Sequence, residues 1–217
     1  MGFFVQSLGG DGTAMVSMQL YASSFLSFHC EQPVSVKVGM AFVADALAVC
    51  QPSGSITIVC PDGSGLLEVR ADWRDARRVA STSIFVQILA PALHPAATMC
   101  MSAREFKKLC GEISVFQSHV RIHAHNDCIE FSGSGCAGAA SMVRGGRGVE
   151  TADDGVVVRV LAPSVATFPL PYLLLLSHAL PDTGALELGV GPNIPLYVKV
   201  DHECGFLRFY AGPMIDE

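Results

Sequence analysis

The sequence predicts an α+β protein made of two similar domains, and three observations support that prediction. Short segments with alternating apolar residues, which are typical of β-strands, are separated by turns rich in Gly, Pro, Asn and Asp. Only three segments have their apolar residues at helical spacing. The order helix, turn and three hairpin-linked strands occurs twice, with Gly54 and Gly184 in equivalent turns 130 residues apart.

The first half is predicted to place one helix among strands. Residues 41–50 have helical spacing, and a turn that contains Pro52 and Gly54 ends this helix. We expect the polar segment 72–78, which includes the single tryptophan Trp73, to form a turn. The predicted strands of this half cover residues 3–6, 15–20, 25–29, 34–38, 55–60, 66–71 and 79–89.

The second half contains the helix with the clearest pattern, over residues 102–116. Ser102 is a candidate N-cap, and Glu105 follows it at the spacing of a capping box. The predicted buried stripe is Phe106, Leu109, Cys110 and Ile113. The other predicted elements are strands at residues 98–101, 118–125, 186–190, 196–200 and 205–210, a hairpin turn at 133–135, and a helix at 171–179.

The repeat predicts where one domain ends and the next begins. Residues 3–20 resemble residues 128–144, since each segment has a short strand, a Gly-rich turn and a strand containing Met. Residues 98–125 have no counterpart in the first half, so we expect a first domain that lacks its opening strand-helix-strand. The predicted division is a first domain at 1–89, a connecting loop at 90–97 that is rich in Pro and Ala, and a second domain at 98–217.

Composition limits the classes of protein that the chain could belong to. Half of the 217 residues are hydrophobic and 16% are charged, which is typical of a folded globular protein. The net charge of −6 argues against a surface that binds nucleic acid everywhere, although a local basic face stays possible. The longest apolar run, around residues 173–176, is far shorter than the roughly 20 residues of a membrane span. The first residues lack a basic region and a cleavage site, so we expect an intracellular protein with no membrane partner.

Residue types that could carry chemistry do not form a recognisable active site. The eight cysteines include no CxxC pair, so we expect mostly small core side chains in a reducing compartment. His119, His123 and His125 alternate along one strand and share a face. We find no carboxylate or cysteine of matching parity nearby, so a polar outer face is favoured over a metal site. No nucleophile motif occurs, and we predict a protein that is not an enzyme and needs no cofactor or metal.

Three segments of the second half resemble the proliferating cell nuclear antigen family, the eukaryotic DNA sliding clamps. They are SAREFKKLCGEIS, DCIEFSGSG and the whole run from residue 162 to residue 217. The first half is similar in weaker form through VQS, DGTAMVSMQL and the helix that ends at Cys50. The resemblance implies the DNA clamp fold, with helices lining a channel and antiparallel sheets outside. It also implies a nuclear homotrimeric ring around duplex DNA that a clamp loader places, that has no active site, and that raises DNA polymerase processivity.

The resemblance further implies where partners bind. DNA polymerase and other proteins would dock through a short hydrophobic PIP-box peptide, partly by strand-like pairing along an edge. Carried over position by position, the peptide pocket would be lined by Leu8, Met15, Leu93, His94, Pro95, Pro195, Tyr210, Gly212, Pro213 and Ile215.

The channel and the contacts between subunits also follow from the resemblance. The DNA-facing positions would be Arg104, Lys107, Lys108 and His178, and the subunit interface would include Val79, Ile84, Val86, Ser141 and Val143. Helix 41–50 carries Asp45 and no Lys or Arg, so the predicted channel is only weakly basic. An alternative is therefore a clamp-derived protein-interaction module that no longer encircles DNA.

Overall fold

A computed structural model describes residues 2–9, 12–31, 39–49, 55–60, 67–73, 76–82, 94–115, 118–135, 138–145, 155–180 and 182–214. Within these residues the helices are α1 Met40–Val49, α2 Ala103–Ile113 and α3 Leu170–Ala179. The strands are β1 Gly2–Leu8, β2 Ala14–Tyr21, β3 Ser55–Val59, β4 Leu67–Trp73, β5 Ala76–Thr82, β6 Ala97–Ser102, β7 His119–His125, β8 Cys128–Gly135, β9 Gly138–Gly145, β10 Val157–Val160, β11 Ser164–Pro169, β12 Ala185–Val190, β13 Leu196–His202 and β14 Gly205–Ala211.

The strands form three sheets in which all neighbours pair antiparallel. The largest sheet has the order β1-β2-β14-β13-β12-β6-β10, and the second has the order β11-β7-β8-β9. A third sheet contains β3, β4 and β5. The predicted α+β class, with mostly antiparallel sheets and few helices, is confirmed.

The chain divides by packing into two compact units. One contains residues 1–27 together with residues 91–217, and the other contains residues 28–90. The first hairpin belongs to the larger unit because β2 pairs with β14 along its whole length, from Gly205 opposite Leu20 to Ala211 opposite Ala14. The bounds of these packing units therefore differ from the predicted domains at 1–89 and 98–217 with their connecting loop at 90–97. The domain division stays a prediction.

The core of the larger unit lies between its sheets and the two helices α2 and α3. The predicted stripe of α2 is buried, with Phe106, Leu109, Cys110 and Ile113 each at most 2% exposed. The predicted cap is also confirmed, because the Ser102 hydroxyl oxygen accepts a hydrogen bond from the Glu105 backbone N–H at 3.1 Å. The Cys110 thiol of α2 donates to the Leu173 carbonyl of α3 at 3.7 Å, so the helices are in direct contact.

Some sequence-based predictions of local structure were wrong. Residues 25–29 do not form a strand. The pairing of β2 with β14 ends at the hydrogen bond from the Tyr21 N–H to the Cys204 carbonyl, because β14 begins at Gly205 and offers no partner to the residues that follow Tyr21. The predicted turn at 72–78 is mostly strand, since β4 and β5 stay paired as far as Trp73 opposite Ala76. The predicted turn at 133–135 is the end of β8, where Gly135 pairs with Gly138 of β9. The predicted strand at 34–38 and the end of the one at 79–89 lie outside the described residues.

The cysteines are less buried than the sequence suggested. Among the six that the structure describes, Cys110 and Cys128 are buried, whereas Cys30, Cys100 and Cys204 are exposed. Cys100 is exposed because it occupies an alternate position of β6, whereas Cys30 and Cys204 lie outside the strands. Burial raises the pKa of the Cys110 thiol to about 12, so this group stays neutral and is a packing residue.

Candidate functional site

A row of directly paired side chains crosses the largest sheet at one end. Leu8 of β1 lies opposite Met15 of β2, Met15 lies opposite Tyr210 of β14, and Tyr210 lies opposite Tyr197 of β13. Directly opposed residues point to the same face of an antiparallel sheet, so these four side chains share one face. We call them the transverse row. Phe209 precedes Tyr210 in β14, points to the opposite face of the sheet and belongs to the core that contains the helices. The transverse row therefore lies on the outer face.

The centre of the transverse row is buried and its Leu8 end is exposed. Only 2% of Tyr210 is exposed, whereas 50% of Leu8 is exposed. The Tyr197 ring covers Gly189, where an added Cβ would lie 2.2 Å from a ring carbon, and the Tyr197 hydroxyl donates to the Glu187 carboxylate at 2.6 Å. Burial is the main cause that raises the pKa of Tyr197, and this hydrogen bond raises it further. The exposed apolar area of the transverse row therefore comes mainly from the Leu8 side chain, while the two tyrosine side chains are buried beside it.

The carboxy-terminal tail runs on from β14 beside the loop between β1 and β2. The Gly212 N–H donates to the Thr13 carbonyl at 2.7 Å, and the Met214 N–H donates to the Thr167 carbonyl at 2.7 Å. A Cβ at Gly212 would lie only 3.2 Å from that Thr13 oxygen, so a side chain there would press on the loop. The tail is thus held against the larger unit by backbone hydrogen bonds on both sides of the half-buried Pro213.

The other predicted pocket residues that the structure describes lie at the same end of this sheet. Pro195 precedes Leu196, which pairs with Ala211 next to the tail. His94 is exposed and Pro95 is half-buried, and they lead into the Ala96 N–H, which donates to the Val190 carbonyl at 2.9 Å. Leu93 and Ile215 lie outside the described residues. The structure thus brings Leu8, Met15, His94, Pro95, Pro195, Tyr210, Gly212 and Pro213 to one end of the sheet.

Tyr197 is the member of the transverse row that sequence reasoning missed. The signal was available, because the predicted strands 196–200 and 205–210 are joined by a short turn that sets their register. In that register Tyr197 must face Tyr210.

The exposed positive charge of the two packed helices is concentrated on α2. Arg104 and Lys108 are exposed, and Lys108 has the Glu105 carboxylate 3.6 Å away. Lys107 donates to the Asp182 carboxylate at 2.6 Å, and this hydrogen bond holds the pKa of Asp182 below its usual value. On α3 the exposed residues are Pro171, Leu175, His178 and Ala179, so this helix offers no Lys or Arg.

Three of the five predicted subunit-interface residues lie on strands at the edge of a sheet in the described part of the chain. Ser141 and Val143 lie on β9, the last strand in the order β11-β7-β8-β9, and 52% of Val143 is exposed. Val79 lies on β5, the last strand in the order β3-β4-β5. Ile84 and Val86 lie outside the described residues.

Comparison with known proteins identifies the family. The N-terminal domain of proliferating cell nuclear antigen matches residues 1–89, and the C-terminal domain of the same family matches residues 91–214. The chain belongs to the proliferating cell nuclear antigen family. One relative is the proliferating cell nuclear antigen of Chaetomium thermophilum, which is 24% identical over 224 residues that cover all of this chain and 86% of the relative.

Family membership establishes the coarse function. Proliferating cell nuclear antigens are sliding clamps with a two-domain clamp fold, and the family is not catalytic. The described residues also contain no helix that is long and apolar enough to span a membrane.

Proposed function

We propose that the chain is a subunit of a nuclear homotrimeric sliding clamp that encircles duplex DNA and raises DNA polymerase processivity. A clamp loader places the ring on DNA, and the ring then slides without reading sequence. The family match over both halves supports this proposal. The exposed cations of α2 support it further, since phosphate binding needs Lys and Arg at the surface that faces DNA.

Polymerase and other partners dock at the end of the largest sheet through PIP-box peptides. The observation that supports this most strongly is the convergence of Leu8, Met15 and Tyr210 in the transverse row, next to a tail held by backbone hydrogen bonds. An open apolar residue beside a fixed backbone segment suits a peptide that combines hydrophobic anchoring with strand-like pairing.

The mass of the untagged protein in solution tests the proposed ring. Size-exclusion chromatography with light scattering is expected to give three times the 23.0 kDa of one chain at micromolar concentration. A mass of one chain over the whole accessible concentration range would contradict the ring.

The ion pair between Lys107 and Asp182 provides a test of the DNA-facing surface. Asp182→Asn removes the carboxylate that holds Lys107, so we expect tighter binding of a linear duplex and a salt dependence steeper by about 0.9 per added phosphate contact. Fluorescence anisotropy at several salt concentrations measures both quantities. Asp201→Asn makes the same change in net charge at a second ion pair, between Lys199 and Asp201, and is the control. Equal effects of the two variants would show that α2 has no special contact with DNA.

A second candidate function has one specific observation in its favour. The exposed face of α3 carries Leu175 and His178, and the exposed Asp45 is the charged residue of α1. Each of these helix surfaces, taken by itself, attracts phosphates weakly, which favours a clamp-derived protein-interaction module that no longer encircles DNA. Such a module would keep the peptide site and would not be retained on DNA.

A further inference from the structure

Two histidines and a glutamate meet on the outer face of the sheet β11-β7-β8-β9. His123 and His125 occupy alternate positions of β7, and Glu130 of β8 lies directly opposite His123. One ligand atom from each of the three side chains lies within 4.8 Å of the other two. The His125 Nε2 atom is 3.8 Å from a Glu130 carboxylate oxygen, and the two imidazole centroids are 4.3 Å apart.

Strand β7 and its turn carry no carboxylate of matching parity, which is why the sequence favoured a polar face over a metal site. The matching carboxylate belongs to the neighbouring strand β8. The register of the β7–β8 hairpin places Glu130 opposite His123, and directly opposed residues share a face. The tight turn at Asn126 and Asp127, both with positive φ, fixes this register.

We propose that His123, His125 and Glu130 bind one Zn²⁺ ion, with a fourth coordination position open to water. Two imidazole nitrogens and one carboxylate oxygen form a ligand set that zinc uses in proteins, whereas Ca²⁺ and Mg²⁺ prefer oxygen ligands alone. Tetrahedral bonds of about 2.0–2.1 Å place ligand atoms about 3.4 Å apart. The 3.8 Å separation of the His125 and Glu130 ligand atoms is already close to that spacing, and the His123 ligand atom lies within 4.8 Å of both, so small side-chain rotations would bring all three to it.

The directly opposed neighbours of the cluster are apolar, and the exposed cation Arg121 lies two residues before His123 on the same face of β7. All three ligand side chains are half-buried, so the sheet limits their conformations before the ion arrives. Val165 of β11 lies opposite His123 on one side, and Val143 of β9 lies opposite Glu130 on the other. These apolar neighbours offer no competing ligand.

Cys128 lies opposite His125, with its Sγ atom 3.8 Å from the His125 Nε2 atom, and its thiol donates to the His125 carbonyl at 3.0 Å. It does not belong to the group whose ligand atoms all lie within 4.8 Å of one another, so we assign the carboxylate and the two imidazoles as the ligands.

The ion would join two strands that are otherwise linked by backbone pairing. Because β7 supplies two ligands and β8 supplies one, zinc bound to the folded chain stabilises this hairpin and the sheet around it. The inference does not depend on DNA or peptide binding, so it stands or fails separately from the proposed function.

Isothermal titration of the untagged full chain with Zn²⁺, after treatment with a chelator, tests the proposal. We expect one zinc per chain and a melting temperature that rises with zinc concentration. His123→Gln and Glu130→Gln should each weaken zinc binding at least tenfold, while Mg²⁺ should produce no shift. His119→Gln is the matched control, since His119 lies on the same strand and face but outside the cluster, and it should bind zinc as the unsubstituted chain does.

Two further measurements separate loss of a ligand from loss of fold. Circular dichroism and melting in chelator should be the same for the unsubstituted chain and for Glu130→Gln, which keeps the size of the side chain. Co²⁺ should give the visible absorption of a tetrahedral site without a thiolate charge-transfer band. Absence of saturable zinc binding, equal weakening by His119→Gln, or a thiolate band that places Cys128 on the metal would each overturn the proposed ligand set.

Discussion

Leu8→Glu is expected to lower affinity for a PIP-box peptide at least tenfold. Leu8 provides the most exposed apolar surface of the transverse row, so a carboxylate there must be desolvated when an apolar anchor docks. Because the side chain is half exposed in the unbound chain, the substitution should leave folding intact. Anisotropy or calorimetry with a synthetic peptide measures the change.

The same strand offers a matched control for this substitution. Phe4 lies on the same face of β1 as Leu8, is 47% exposed, and is four residues away, or about 13 Å along the strand. Phe4→Glu therefore introduces the same carboxylate in place of an apolar side chain at the far end of the sheet and should keep peptide affinity within about twofold. If both variants bind the peptide equally well or equally poorly, the docking site does not lie at the transverse row.

Val143→Lys is expected to convert the trimer to single chains at micromolar concentration. Val143 projects from β9, and lysine on a strand at the edge of a sheet opposes pairing with a further strand. We propose that the next subunit pairs one of its own strands with this edge. Sedimentation velocity in the presence of a chelator, which removes any effect of metal, measures the distribution of species.

Val165→Lys is the control for the edge prediction. Val165 is 45% exposed and lies in the same row across the sheet, but on β11 at the opposite edge from β9. It should remain trimeric. Dissociation by Val165→Lys, or a trimer that persists with Val143→Lys, would place the subunit contact elsewhere.

Local patterns predicted those parts of the fold whose determinants lie close together in sequence. The cap and apolar stripe of α2 fall within a dozen residues, and the strands β12, β13 and β14 are joined by short turns, so their order could be read directly. Patterns of this kind also gave the number of helices described here.

Pairings between distant segments could not be read in the same way. Strands β2 and β14 pair although nearly the whole chain separates them in sequence. Neither strand has a sequence pattern that identifies the other as its partner. The false strand at residues 25–29 has the same cause, since its composition suits a strand but β14 begins too late to pair with it. The exposure of Cys100 likewise depends on which face of its strand is covered.

The candidate site depended on resemblance for its residues and on the structure for its geometry. Spacing alone would assign Tyr210 to the core, and it is indeed buried, but on the outer face opposite Met15 and Tyr197. The register of the strands explains why a nearly covered tyrosine and an exposed Leu8 belong to one surface. Neither the exposure of Leu8 nor the contact of Gly212 with Thr13 follows from sequence.

Retention on closed circular DNA tests the central claim most directly. The protein is placed on a nicked circular duplex by a clamp loader and ATP, and the complex is separated from unbound protein before and after the circle is cut once. A subunit of a ring that encircles DNA should stay on the circle at salt concentrations that break phosphate contacts, and should be lost when the DNA is linearised. Equal loss from circular and linear DNA would contradict encirclement and favour the interaction module.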